Sequence, residues 1–177
     1  MHLALGSCTI RSWVAEDTQS LVTHANDHEI WLQLRDRFPH PYTIEDANIF
    51  LERVLHETPE TSFAIDVSGQ AVGCISAMSQ TDVHRFTAEI GYWLGKEFWG
   101  RGIMTEVVPA FTEWLFETFA LHRIYASSFA RNRRSARVLE KAGFEYEGCL
   151  RASVFKDGQI LDQLLYAKTK RGHQALP

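Results

Sequence analysis

Glu89-Ile90-Gly91-Tyr92-Trp93-Leu94-Gly95-Lys96-Glu97-Phe98-Trp99-Gly100-Arg101-Gly102-Ile103-Met104-Thr105-Glu106 holds the residues whose types and spacing bear most directly on chemistry. It reads as a strand, a glycine-punctuated turn and the first turn of a helix. Such a turn aims several backbone N–H groups at one point, and the helix dipole adds partial positive charge there. The guest this suits is an anion, most commonly a phosphate. Gly100 and Gly102 matter because a side chain there would block close approach and penalise positive φ. Two other phosphate loops are excluded: no Lys-Ser or Lys-Thr pair follows the second glycine, and the position three after Gly102 is Thr105. On spacing alone, a tight connection that binds nothing competes evenly with an anion site.

A second cluster is Asn132-Arg133-Arg134-Ser135-Ala136-Arg137-Val138-Leu139-Glu140-Lys141-Ala142-Gly143-Phe144. Arg131, Arg133, Arg134, Arg137 and Lys141 form a basic patch opposed by Glu140. Guanidinium groups suit bidentate phosphate contact, though a solvated helix face has the same composition. Asn132, taken alone, fits a plain helix N-cap better than a ligand contact.

These residues need elements to hold them. Leu3 to Arg11 reads as a first strand, and Ala15-Glu16-Asp17 opens a helix carrying Leu21, Val22 and Ala25. A short helical piece through Ile30 to Leu34 precedes Phe38-Pro39-His40-Pro41-Tyr42, whose prolines forbid regular helix. Thr43-x-x-Asp46 resembles a capping box and starts a helix through Leu55. Strands follow over 63–67, 72–78 and 86–95. The helix after the glycine loop runs over 103–119, with Pro109 expected to kink it. A strand over 122–129, a short helix over 132–142 ended by Gly143, and a hairpin of strands 144–155 and 160–168 complete the chain. The order β-α-α-β-β-β-α-β-α-β-β predicts an α+β fold: one mixed, mostly antiparallel sheet of about seven strands with helices on its faces.

The 177 residues fit a single domain over 1–177, with 45% hydrophobic content. A net charge of −4 argues against nucleic acid or anionic lipid as partner. No apolar run of about 18 residues marks a membrane span, and no secretory leader is evident. Cys8, Cys74 and Cys149 are scattered, without Cys-x-x-Cys or Cys/His spacing. They read as buried free thiols in a reducing, cytoplasmic setting, with no metal site.

Tyr92-Trp93-Leu94 followed by Phe98 to Glu106 resembles the acyl-CoA pyrophosphate loop of GNAT-type N-acetyltransferases, and is most similar to the ribosomal-protein-alanine, Rim-type branch. The general loop is Gln/Arg-x-x-Gly-x-Gly/Ala; Trp99 and Met104 depart from it in a way familiar in that branch. Asn132 to Phe144 resembles the C-terminal signature Asn-x-x-Ser/Ala…Lys-x-Gly-Phe. The resemblance covers nearly the whole chain and implies the GNAT fold, with acetyl-CoA as cosubstrate and no metal. It implies cofactor contacts from Tyr92, Trp93, Leu94, Trp99, Gly100, Arg101, Gly102, Ile103, Met104, Thr105, Asn132, Arg134, Ser135 and Arg137. A backbone N–H of 90–94 would serve the oxyanion. Position 139, where many relatives carry a tyrosine acid, is Leu139, which leaves Ser135 as the nearest donor to the leaving thiolate. Glu89 is the candidate base or binder of a cationic amine, with its pKa expected to be raised by apolar neighbours. Phe38 and Tyr42 would wall the acceptor pocket, while His40 and His122 read as structural. The implied reaction is acetyl transfer to a primary amine in a ternary complex, with a protein N-terminus as acceptor. A small amine, such as a polyamine, amino acid or antibiotic, is the alternative. So is a catalytically silent acyl-CoA-binding module. A homodimer is compatible with this reading.

Overall fold

The computed structural model describes residues 1–170. Its strands are β1 (His2–Ala4), β2 (Thr9–Arg11), β3 (Ser62–Val67), β4 (Gln70–Ser79), β5 (Thr87–Leu94), β6 (Arg123–Phe129), β7 (Glu145–Lys156) and β8 (Gln159–Thr169). Its helices are α1 (Thr18–Ala25), α2 (His28–Trp31), α3 (Ile44–Leu55), α4 (Ile103–Thr118) and α5 (Arg133–Lys141). One eight-stranded sheet runs in the order β1-β2-β3-β4-β5-β6-β8-β7. Every neighbouring pair is antiparallel except β5 and β6, which are parallel.

The sheet has eight strands, not about seven, because the expected first strand is two. His2 pairs with Arg11 and Ala4 with Thr9, folding the segment back on itself at Gly6 and Ser7. The expected helix at Ala15 begins as a 3-10 turn through Asp17, and α1 follows from Thr18. The piece expected over 30–34 lies earlier, as α2. Asp27 caps it, its side chain accepting from the backbone of Glu29 and Ile30.

Alternation along the strands sorts the core into two layers. Ile75, Ala88, Ile90, Leu94, Ile124, Ala126 and Tyr166 face one side, against Val107, Phe111 and Leu115 of α4 and Ala136 and Leu139 of α5. Ala64 and Cys74 face the other, against Leu21 and Ala25 of α1 and Ala47, Leu51 and Val54 of α3. Each large side chain fully buried in these layers contributes about 1.5–3 kcal/mol. Helix α3 starts where the sequence places it: Asp46 N donates to Thr43 Oγ1 at 3.2 Å, and the Asp46 carboxylate accepts from Thr43 N at 2.9 Å. Helix α4 continues through Pro109 to Thr118. Its buried stripe includes Ile103, Val108, Thr112 and Phe116, while Thr118 at its end is exposed. Cys8 and Cys74 are buried free thiols, but Cys149 is exposed on β7, where most side chains face out.

Candidate active site

The parallel strands stay together only at their beginnings. Thr87, Ala88 and Glu89 pair with Arg123, Ile124 and Tyr125, and no pairing follows. Beyond that point β5 remains on β4 as far as Leu94, and β6 remains on β8 as far as Phe129. The two strands therefore open into a wedge with Glu89 at its root.

The polarity of the wedge follows from backbone alternation. On the β4 side, Thr87 O accepts from Gln80 N at 2.9 Å and Gly95 N donates to Val72 O at 2.7 Å. On the β6 side, Phe86 O accepts from His122 N at 2.9 Å. Odd positions of β5 thus turn their backbone groups toward β4, and even positions turn theirs toward β6. The N–H groups of Ile90 and Tyr92 consequently point into the wedge, which suits an oxyanion. Leu94 O points the same way and is taken by Trp99 Nε1–H at 2.7 Å, which fixes the loop to the strand.

Both strands end in helix N-termini at the open end. Gly102 is the N-cap of α4, with φ 83° and no side-chain cap, and Gly100 has φ 77°. A Cβ at Gly100 would meet nothing within 4 Å, so the loop leaves open space beside the first N–H groups of α4. A helix N-terminus left without a side-chain cap in this way suits an anion. The Thr105 hydroxyl is committed to Gly102 O. Ile103 is buried and Met104 packs partly into the core, and both line the cleft. Across the opening, Asn132 caps α5, its Oδ1 accepting from Ser135 N at 3.1 Å. Arg134 stacks on the Trp99 ring at 4.9 Å, linking α5 to the loop. Arg134 and Arg137 line the cleft. Arg101 is not among the lining residues; its guanidinium lies over Phe98 at 5.1 Å, beside the loop and outside the cradle.

Tyr92 lies on the α5 side of β5, and its hydroxyl is 2.8 Å from Ser135 Oγ. Burial pushes its phenol up to about 12. Two buried side-chain atoms lining the cleft, Ser128 Oγ and Gln33 Oε1, have no hydrogen-bond partner.

On the other side of the sheet the cleft meets a wall built from 31–42. Phe38 stacks against Tyr42 at 5.0 Å and edge-on to Trp93 at 5.7 Å. Glu89 is only 9% exposed. Arg35, which sequence reasoning did not single out, forms an ion pair with it. The expected setting of Glu89 beside apolar neighbours alone is therefore incomplete: a guanidinium faces the carboxylate. Glu89 and burial together raise the Tyr125 phenol, burial being the larger cause. The wall is pinned from three further places. Arg131 donates to Leu32 O at 2.7 Å. Lys156, 1% exposed, reaches from the β7–β8 hairpin to Asp36 Oδ1 at 2.8 Å and sits 3.7 Å from the Trp31 ring centroid. Arg37 approaches Met78 Sδ at 3.3 Å. Nothing in the sequence announced these contacts, whose partners lie far apart along the chain.

The whole cleft has a volume of about 1730 Å³. That exceeds the roughly 300–1,000 Å³ of a site for one drug-sized ligand, and leaves room for two substrates. Among the described residues no group of His, Cys, Asp and Glu is arranged to hold a metal ion, and no helix is long and apolar enough to cross a membrane.

The acetyltransferase (GNAT) domain family matches residues 8–145. The chain belongs to this family. It is 48% identical over 80 residues to "Probable N-acetyltransferase YjcK" of Bacillus subtilis, a match covering 42% of the chain and 44% of that protein. It is 36% identical over 80 residues to the [ribosomal protein uS5]-alanine N-acetyltransferase of Escherichia coli, covering 45% and 41%. These matches span less than half the length of either relative. Mycobacterium smegmatis RimJ in complex with CoA-disulfide superposes with a TM-score of 0.80 at 25% identity, covering 92% of this chain and 81% of that one. The ribosomal-protein relative and RimJ support the Rim-type branch, and the GNAT architecture extends across nearly all of the chain.

Proposed function

We propose that this chain transfers the acetyl group of acetyl-CoA to a primary amine by direct attack in a ternary complex, and that the amine is a protein N-terminus. The observation that carries this reading is the wedge. The splay after Glu89 and Tyr125 joins an uncapped helix N-terminus, inward-facing N–H groups and a buried carboxylate in one continuous cleft. The loop at 99–105 would hold the pyrophosphate, with Arg134 and Arg137 toward the remaining phosphate. The thioester would lie in the wedge, its carbonyl toward the N–H groups of Ile90 and Tyr92. The acceptor would enter past Phe38, Tyr42 and Trp93 and meet Glu89.

The chemistry then runs in sequence. The acceptor ammonium loses a proton to Glu89 or to water, the neutral amine attacks the thioester carbon, and the nitrogen gives up its second proton to water as the intermediate collapses to the amide. The oxyanion is met by backbone donors already in place, which need no reorganisation. The C–S bond breaks, its electron pair goes to sulfur, and Ser135 stabilises the thiolate. A protein N-terminus suits a wall that is wide and rigid, and the E. coli relative is named for a ribosomal-protein alanine. Scattered free thiols suit a reducing cytoplasm.

Release of free CoA thiol across an amine panel tests this. Peptides with free N-termini should give the highest kcat/KM, above N-blocked lysine peptides, polyamines and amino acids. Turnover confined to the small amines would replace the acceptor assignment. Tight acetyl-CoA binding without turnover of any amine would make the chain a silent binding module.

A further inference from the structure

Ser135 occupies an asymmetric setting. Its backbone is held by the Asn132 cap, through Ser135 N to Asn132 Oδ1 at 3.1 Å. Its hydroxyl faces Tyr92, which arrives from β5 across the wedge, with the phenol oxygen 2.8 Å from Ser135 Oγ. The same phenol oxygen lies 3.4 Å from Ser135 O, a longer contact. A phenol is a stronger donor and a weaker acceptor than an alkyl hydroxyl, so in this pair the phenol donates. Ser135 Oγ then accepts from Tyr92, and its single hydrogen is free to turn to the cleft that Ser135 lines. Accepting one hydrogen bond also strengthens the next one donated along the chain.

We propose that Tyr92 is a positioning residue for the leaving-group step, its phenol donating to Ser135 Oγ and directing the serine hydrogen to the thioester sulfur. This rests on the acetyl-transfer reading above and adds to it a residue that the loop likeness grouped with plain cofactor contacts. When the tetrahedral intermediate collapses, the C–S bond breaks and its electron pair goes to sulfur. Ser135 hydrogen-bonds that charge, Tyr92 keeps its proton, and the thiolate takes its proton afterwards from water. A phenol pushed up to about 12 by burial stays protonated at neutral pH, as a permanent donor must.

Two readouts test the arrangement. The first needs no acceptor: ultraviolet titration of the thiolate of CoA bound to the protein. Tyr92→Phe and Ser135→Ala should each weaken ionisation of the bound thiol, by about tenfold in its ionisation constant, the worth of one hydrogen bond to a charged group. Tyr92→Phe/Ser135→Ala should be no worse than Ser135→Ala alone. The second is the single-turnover rate at saturating acetyl-CoA with an active amine, where the same non-additive pattern is expected. A wild-type thiol titration in Tyr92→Phe, or losses that multiply in the double variant, would overturn the proposal while leaving acetyl transfer intact. Loss in Tyr92→Phe with none in Ser135→Ala would also overturn it, since Tyr92 would then act elsewhere. Failure of CoA to bind the wild-type protein would instead remove the cofactor reading, and this proposal with it.

Discussion

Glu89 is the residue where chemistry and architecture meet, because it is the last β5 residue paired to β6 and carries a buried carboxylate. Its partner Arg35 makes the two roles open to it separable by experiment. If Glu89 takes the amine proton, Glu89→Gln should lower kcat by about 10²–10⁴-fold, the range for one positioned base, and alter the acidic limb of the pH–rate profile. If it binds the ammonium form, the same variant should raise KM with kcat kept. Unchanged kinetics would leave proton removal to water alone. Arg134 and Arg137 sit on the exposed side of α5, where single contacts are screened. Arg137→Ala should weaken CoA by about threefold to tenfold and dephospho-CoA by less, as expected for an exposed charge pair. Equal losses measured by calorimetry would mean the guanidinium does not reach the 3′-phosphate. Arg134→Ala should cost both ligands more evenly, because Arg134 also braces Trp99. Which residues were legible at this scale follows from range. Gly100 and Gly102 set a loop conformation, and Asn132 and Ser135 sit at a helix N-terminus, features that neighbours in sequence determine. Arg35 meets Glu89 across 54 positions, and no local pattern foretells that.

At the scale of elements, the strand–loop–helix unit of β5 and α4 does the most for the site. Gly102→Val would meet Thr105 Oγ1 at no closer than an ordinary 3.6 Å from its Cβ, so packing tolerates the new atom. Its cost comes from φ 83°, about 1–2 kcal/mol for a residue with a Cβ, and from branched atoms reaching into the anion cradle. The variant should fold with a lowered melting temperature and lose acetyl-CoA binding. A folded variant with unchanged affinity by calorimetry would remove the phosphate-loop reading. The sequence declared this unit because its signals are local: alternation, then glycines, then helical spacing. It declared α3 by its cap for the same reason. It did not declare the break between β1 and β2, because Gly6-Ser7 is a weak turn signal inside an apolar run. It also did not declare the wedge, since strand pairing is decided by partners distant in the chain.

At the scale of the molecule, the proposed reading would bring the two substrates to one sheet from opposite faces, and the β7–β8 hairpin ties the 31–42 wall to that sheet. Lys156 at its end is buried against Trp31 and paired with Asp36. Lys156→Met keeps the stem of the side chain and removes the charge. It should raise the acceptor KM on the order of tenfold, since a small misplacement of a reactant costs that much or more, and leave acetyl-CoA affinity unchanged. A parallel loss of acetyl-CoA affinity would show that the hairpin supports the whole domain and not the wall.

The wedge has one more consequence, for motion and for heat. Two neighbouring strands that part halfway leave a seam of main-chain groups facing no other strand, at Ile90 and Tyr92. An extended ligand lying there would act as a short surrogate strand. Amide hydrogens along the seam should exchange with deuterium quickly in the free protein and slowly in the complex, while those of β3 and β4 change little. At a hundredfold excess over Kd, the ligand would add about 2.7 kcal/mol to unfolding free energy. For this protein, then, a melting curve doubles as a binding assay, and its midpoint should track the supply of acetyl-CoA.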